Sequence, residues 1–250
     1  MVRILIFFIF LVFIFCENPF FSKNLFNFSL PIVVITFDDA HESVYKMGYK
    51  LMREEDTSWA ATHFFCNSYI DQSGNVTLLQ VKEMENNGWE SGGHGLEHDN
   101  LTAIVLDSVE AKIRASYNFL ISNNLSHESF AWAFGAYNDT IKSIAKKYFK
   151  NIRTSHDFYY LDGIDRLELG YFAVKSQFTA NDIIARIEEA KRLGAPLVII
   201  GFHVILPDTA KPIPIYWCKE SVYKDFLKYL KKQNITPVTI KKAMQILKDY

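Results

Sequence analysis

The run Val33-Val34-Ile35-Thr36-Phe37 leads straight into two adjacent carboxylates, Asp38 and Asp39. A mostly β-branched apolar stretch ending in acidic residues is the pattern of a buried strand that delivers its last side chains to the rim of a sheet or barrel. Two like charges side by side are costly unless something compensates them. A bound cation is the simplest compensator, because it favours ionisation of one carboxylate and leaves the other free to handle protons.

The rest of the chain repeats the strand in a regular context. Apolar stretches at 60–66, 89–92, 130–134, 152–154, 167–174, 197–203 and 237–239 alternate with helical patterns at 41–53, 77–87, 107–122, 138–149, 180–193, 219–233 and 240–248. Strands separated by crossover helices pair in parallel, so the spacing predicts an α/β fold. With about seven such units the expected form is a single distorted (β/α) barrel, with its chemistry at the C-terminal ends of the strands. Thr77 is the expected N-cap of its helix, and Gly88 and Gly194 are stop signals.

At 250 residues, 49% hydrophobic and 22% charged, with no Pro/Gly/Ser-rich linker, one domain over 28–250 is expected. The formal charge of -1, with lysine pairs scattered along helices, gives no footprint for a nucleic acid or other polyanion partner. Residues 1–27 read differently. Arg3 is followed by twelve consecutive apolar residues, 4–15, too short for a membrane span of about 20 residues but matching the core of a secretory signal. A signal peptide or membrane anchor is expected there, placing the domain outside the cell, secreted or tethered through residues 4–15. Cys66 and Cys218 are then left either to pair or to stay as two buried thiols.

Asp38 and Asp39, His94 and His98, and His203 all fall at strand ends and should meet on one face. His94 and His98 stand four apart, so a helical turn would aim both imidazoles at one point, two corners of a tetrahedral metal site. The intervening Gly95-Leu96-Glu97 does not fit the zinc-protease pattern. Taken singly, each feature has an ordinary alternative: a helix N-cap for the aspartates, surface or core histidines for the pair, a satisfied buried histidine for His203.

Taken in order, the segments resemble one family, the polysaccharide deacetylases, metal-dependent carbohydrate esterases with a distorted (β/α) barrel. Thr36-Phe37-Asp38-Asp39 is similar to that family's first motif, which implies Asp38 as catalytic base and Asp39 as metal ligand. Gly93-His94-Gly95-Leu96-Glu97-His98-Asp99-Asn100-Leu101 resembles the second, whose histidines complete the metal triad. Phe202-His203 resembles the last, whose histidine is the general acid. Phe130-Ala131-Trp132-Ala133-Phe134-Gly135-Ala136-Tyr137-Asn138 resembles a variant of the third motif and implies the Phe134 amide as an oxyanion donor. Two positions depart from the pattern: Ala131 stands where many members carry an Arg that orients the base, and Ala133 where nearly all carry Pro. The fourth motif, an Asp that tunes the acid histidine, has Asp162, Asp165 and Glu168 as candidates.

The chemistry of the residue types agrees with the resemblance. Amide or ester hydrolysis needs a nucleophile, a carbonyl polariser, an oxyanion stabiliser and a proton for the leaving group. A divalent cation on Asp39, His94 and His98, Zn²⁺ best suiting the set, would supply the first two. Trp132, Tyr137, Phe202 and Trp217 are candidate sugar-stacking walls or plain core aromatics. The expected function is removal of N-acetyl groups, with O-acetyl groups as the alternative, from an acetylated polysaccharide. Alternatives are a non-catalytic carbohydrate-binding protein on the same fold and an amidohydrolase for a small non-sugar amide.

Overall fold

The structure, a computed structural model, describes residues 30–211 and 216–249. The expected signal or anchor at 1–27 lies outside the described residues, within which no helix is long and apolar enough to cross a membrane.

The expected alternation is observed. In chain order the elements are β1 (Ile32–Phe37), α1 (Lys50–Glu55), β2 (Thr62–Phe65), α2 (Leu78–Asn86), β3 (Glu90–Gly93), α3 (Leu106–Ser122), β4 (Ser129–Ala131), α4 (Asp139–Ala145), β5 (Asn151–Arg153), β6 (Phe172–Ala173), α5 (Ala180–Leu193), β7 (Leu197–Phe202), β8 (Val204–Leu206), β9 (Trp217–Lys219), α6 (Glu220–Lys232) and α7 (Ile240–Ile246). Local chemistry sets several ends. Thr77 caps α2 in a reciprocal capping box with Gln80, Thr179 does the same for α5 with Asp182, and Gly194 closes α5 in the left-handed conformation.

Seven strands form one parallel sheet in the order β5-β4-β3-β2-β1-β7-β6, and β8 pairs with β9 separately. The sheet curls into a barrel because one extended segment touches both edges. Leu169 pairs with Arg153 on β5, and a few residues later β6 pairs with β7. Val238 bridges to Val34 at the lower half of β1, where the last expected strand is reduced to a single pairing.

Side chains alternate along β1 as strand geometry requires. Val33, Ile35 and Phe37 pack outward against the helices, while Val34 points inward among Phe64, Ala131, Tyr171 and Ile199. Complete burial of each large apolar side chain is worth about 1.5–3 kcal/mol, so both faces of β1 hold the barrel together. At the N-terminal ends of the strands the inner face is polar, and its carboxylate is well paired. Glu90 accepts from Thr62 Oγ1 at 2.8 Å, Ser129 Oγ at 2.6 Å and the Lys241 amide at 2.9 Å, which pins the first turn of α7 under the barrel. The other end of the same inner face carries the chemistry.

Candidate active site

β1 ends in a turn where Asp39 (φ 74°) and Ala40 (φ 72°) are both left-handed, although neither is glycine. Consecutive strained residues of about 1–2 kcal/mol each persist only where the surroundings fix them. The Ala40 carbonyl is held by the Val76 amide at 2.9 Å, and the Ala40 side chain is buried. The turn swings Asp39 out over the end of β3. Its Oδ1 lies 3.3 Å from His94 Nε2 and 3.3 Å from His98 Nε2, and one ligand atom from each of the three residues lies within 4.8 Å of the others.

The two histidines are not on a helix, contrary to the geometry expected from their spacing. Residues 94–98 form a loop in which Gly95 takes φ 100°, and a Cβ there would stand 2.8 Å from the Glu97 carbonyl oxygen. A fold-back loop, open only to glycine, brings the rings together in place of a helical turn. Their centroids are 5.2 Å apart.

The donor set fits a divalent cation. His94 Nδ1 lies 2.9 Å from the Ala131 carbonyl oxygen, which can only accept, so Nδ1 carries a proton and Nε2, which faces Asp39, is the nitrogen left for a cation. Asp39 Oδ1 is buried with no hydrogen-bond donor of its own. Burial works against ionisation of Asp39, yet the two imidazoles beside it hold its carboxyl far below the usual carboxylate range. Two nitrogens and one anionic oxygen converging on a point match a three-ligand site with room for a further ligand.

Asp38 points the other way, into the barrel, and is 2% exposed. Its Oδ2 accepts from Arg153 Nη2 at 2.6 Å and stands 3.6 Å from His203 Nε2, while its Oδ1 is buried and unpartnered. His203 follows β7, with Tyr216 stacked on its ring at 4.7 Å. Burial lowers its pKa, against the opposing pull of Asp38 and Asp39. Its Nδ1 has no partner among the described residues, and none of the candidate acids fills that role. Asp165 caps the Leu167 amide, Glu168 pairs with Lys142, and Asp162 lines a separate surface cavity of about 530 Å³ with Tyr159 and Ile164.

The expected face is therefore assembled: Asp38, Asp39, His94, His98 and His203 all converge. Phe134 is left-handed (φ 57°, ψ 5°) and exposed, its ring packed edge-on against His98 at 4.3 Å. The aromatic walls need correction. Trp132, 2% exposed, packs outward beside Phe130 and under Tyr137, while Phe202 and Trp217 are also buried, so no sugar ring can reach them. Tyr137 is half-buried against Trp132. Tyr216, 42% exposed over His203, is the accessible ring that sequence reasoning missed. Arg153 was missed as well. Its only signal was a cation in an otherwise short, inward-alternating strand. Cys66 and Cys218 are both buried free thiols.

An α/β barrel with an acid–histidine centre at the C-terminal ends of its strands defines the class of protein. Residues 27–150 match the family model described as "Polysaccharide deacetylase", and the chain belongs to the polysaccharide deacetylase family. Among solved structures, the deacetylase PplD of Streptococcus pyogenes, in complex with acetate, is 25% identical with a TM-score of 0.50, over 55% of this chain and 62% of its own. That match spans less than two thirds of the relative's length. Two others show the fold alone. The Xyl-CE4 domain of a multidomain xylanase from the hindgut metagenome of Trinervitermes trinervoides is 15% identical, with a TM-score of 0.58 over 86% of this chain and 90% of that one. A mutant of the peptidoglycan deacetylase PdaC from Bacillus subtilis is 14% identical, with a TM-score of 0.55 over 88% and 93%. No curated protein matches the chain.

Proposed function

We propose that this chain is a metal-dependent deacetylase that hydrolyses N-acetyl groups, with O-acetyl groups as the alternative, on a cell-surface or environmental polysaccharide. One observation carries the reading: the Asp39–His94–His98 cluster lies beside a buried carboxylate, Asp38, that is excluded from the cluster and stands 3.6 Å from His203. A cation held by Asp39 Oδ1 and the Nε2 atoms of His94 and His98, Zn²⁺ best matching the set, would act as a Lewis acid on the acetyl oxygen and ease deprotonation of water.

The protein's own groups divide the proton work. Asp38 takes a proton from the attacking water at Oδ1, the oxygen that has no other partner. His203 returns a proton from Nε2 to the leaving nitrogen, and its burial, which lowers its pKa, makes it readier to give that proton up. The Phe134 amide is the proposed oxyanion donor. Tyr216 offers the half-exposed face on which a sugar ring can stack beside His203. Retention of both proton-transfer residues favours an enzyme over a binding protein on the same fold. Export through residues 4–15, by a cleaved signal or a retained anchor, would bring this face to its polymer.

The test is acetate release from a panel of N-acetylated and O-acetylated glycans and a small non-sugar amide, before and after chelation and with Zn²⁺ restored. The reading expects glycan-dependent release that chelation abolishes and Zn²⁺ returns. Release from the small amide alone would move the chain to the amidohydrolases. Glycan binding without release would make it a binding protein.

A further inference from the structure

His94 and His98 belong to the same cluster, but the protein secures them differently. His94 is fixed three times. Its amide donates to the Phe65 carbonyl at 3.1 Å, its carbonyl accepts from Cys66 Sγ at 3.3 Å, and its Nδ1 lies 2.9 Å from the Ala131 carbonyl. His98 has none of these holds. Among the described residues its backbone makes no hydrogen bond, and its ring meets no polar group but Asp39. A metal-ligating imidazole is normally oriented by a partner on its other nitrogen, so the placement of His98 falls to the chain on either side of it.

The loop around His98 is held in two halves. The Gly95 and Leu96 carbonyls accept from the Asn67 and Ser68 amides at 3.2 and 3.0 Å, which pins the first half through its backbone. The second half has no such bond outward, since the Asp99 amide only turns back on the Glu97 carbonyl at 2.9 Å. What reaches it is Lys112 on α3. Lys112 Nζ lies 2.7 Å from Glu97 Oε2 and 2.6 Å from Asp99 Oδ2, so one ammonium grips the residues on both sides of His98. The two arms are unequal. Glu97 is 56% exposed, where an ion pair contributes little, whereas Asp99 is 30% exposed and its Oδ2 is shielded from water.

The approach of α3 to β3 explains why the lysine stands there. A Cβ on Gly93, the residue before His94, would lie 2.7 Å from Ser116 Oγ, so the bare glycine lets the helix close on the end of the strand. Lys112 precedes Ser116 by four residues and shares its side of the helix, one turn nearer the rim where the loop lies. Asn67 Nδ2 also donates to the Ala115 carbonyl at 3.1 Å, which ties the support of the loop's first half to the same helix.

We propose that Lys112 is the positioning residue of the His98 ligand, tying Glu97 and Asp99 to α3 so that the imidazole between them is held at the cation site. The consequence for the cation rests on the metal-site reading; the consequence for the loop does not. The sign of the effect separates this role from plain electrostatics. By charge alone a lysine near a cation site opposes binding, so its removal would tighten the site. Loss of a clamp weakens it.

Three variants of the full chain make the test. Lys112→Met keeps the apolar stem without the charge, Lys112→Arg keeps the charge, and Lys147→Met removes an ion pair with Glu110 of α3 that does not involve the loop. Each is measured for Zn²⁺ affinity by competition with a chelating dye. Each is also measured metal-free by ring ¹³C relaxation of His98, with His94 as the internal reference. Lys112→Met should weaken Zn²⁺ binding about tenfold, the lower end of the loss seen when a group that orients a ligand is removed. Its His98 order parameter should fall to below about 0.6 from a rigid value in the wild type, with His94 unchanged. Lys112→Arg and Lys147→Met should both stay within about threefold of the wild type. Should Lys112→Met fail to fold, Lys112→Gln carries the same comparison. Zn²⁺ affinity that is unchanged or tighter in Lys112→Met overturns the proposal, as does an unmoved His98 order parameter or an equal loss in Lys147→Met. A wild type that binds no Zn²⁺, with His98 loosened as described, removes the metal reading and leaves the clamp.

Discussion

Replacing Asp38 by Asn tests stability and chemistry with one change. Asp38 and Arg153 form a buried pair at 2.6 Å, and removing one member of such a pair costs about 3–5 kcal/mol because the other charge is left uncompensated. Two features reduce that figure here. The Asn carbonyl can still accept from Nη2, and the Tyr171 face, 3.9 Å from the guanidinium carbon, offers a desolvated cation–π contact of about 2 kcal/mol that survives the change. The net expectation is a loss of about 2–4 kcal/mol, large but tolerable for a domain whose total stability is of the order of 5–15 kcal/mol. Urea unfolding followed by tryptophan fluorescence measures it. Zn²⁺ binding should survive, since Asp38 lies outside the ligand cluster. Acetate release, assayed where the variant is fully folded, should fall by about 10²–10⁴-fold, the usual contribution of a general base. Turnover equal to the wild type would sink the assignment of Asp38 as base. Unchanged stability would show that the Asp38–Arg153 pair is not buried as described.

Three further changes probe other parts of the molecule. His203→Ala should keep its Zn²⁺ and lose more activity on an N-acetyl sugar than on an activated aryl acetate, whose leaving group needs little protonation; equal losses on both would argue against an acid role. Gly95→Ala forces a Cβ against the Glu97 carbonyl in a left-handed loop. It should weaken Zn²⁺ binding by about 10–100-fold, comparable to loss of a group that orients a ligand, and unaltered affinity in calorimetry would contradict the loop's role. Glu90→Gln addresses the buried network under the barrel. Burial holds the Glu90 carboxyl above its ordinary 4.5, against the donors from Lys241, Ser129 and Thr62. The folded state therefore binds this proton more tightly than the unfolded chain, so its stabilisation is complete below about 4.5 and is lost as the pH rises through the folded value. The stability advantage of wild type over Glu90→Gln should shrink with rising pH in thermal melts, and a constant difference would refute the shift.

Much of the fold could be read from local pattern. The apolar stretches at 60–66, 89–92, 152–154 and 197–203 fell within a residue or two of observed strands, those at 130–134 and 167–174 ran past theirs, and Thr77, Thr179 and Gly194 bounded their helices by side-chain and backbone chemistry that needs no distant partner. The convergence of Asp38, Asp39, His94, His98 and His203 was legible for a related reason: in a parallel barrel every strand ends on the same face. The readings that failed depended on something other than spacing. His94 and His98 are four apart as on a helix, but Gly95 takes φ 100° and folds the chain back instead. Trp132 and Tyr137 sit beside the site in sequence, yet strand alternation turns Trp132 outward into the layer beneath the helices.

The sequence by itself determined which segments are strands and helices, where they end, and which residue types gather at the rim of the barrel, because periodicity, caps and turns are short-range properties of the chain. Only the tertiary structure decided which groups pair there. That Arg153 meets Asp38 depends on the register of β4 against β5 and on a closed inner face that leaves a bare Cβ at Ala131. That Tyr216 covers His203 depends on how the chain returns from β8 to β9. Such contacts bring together residues from strands far apart in order, and a shift of one residue in register would turn every one of these side chains to the opposite face.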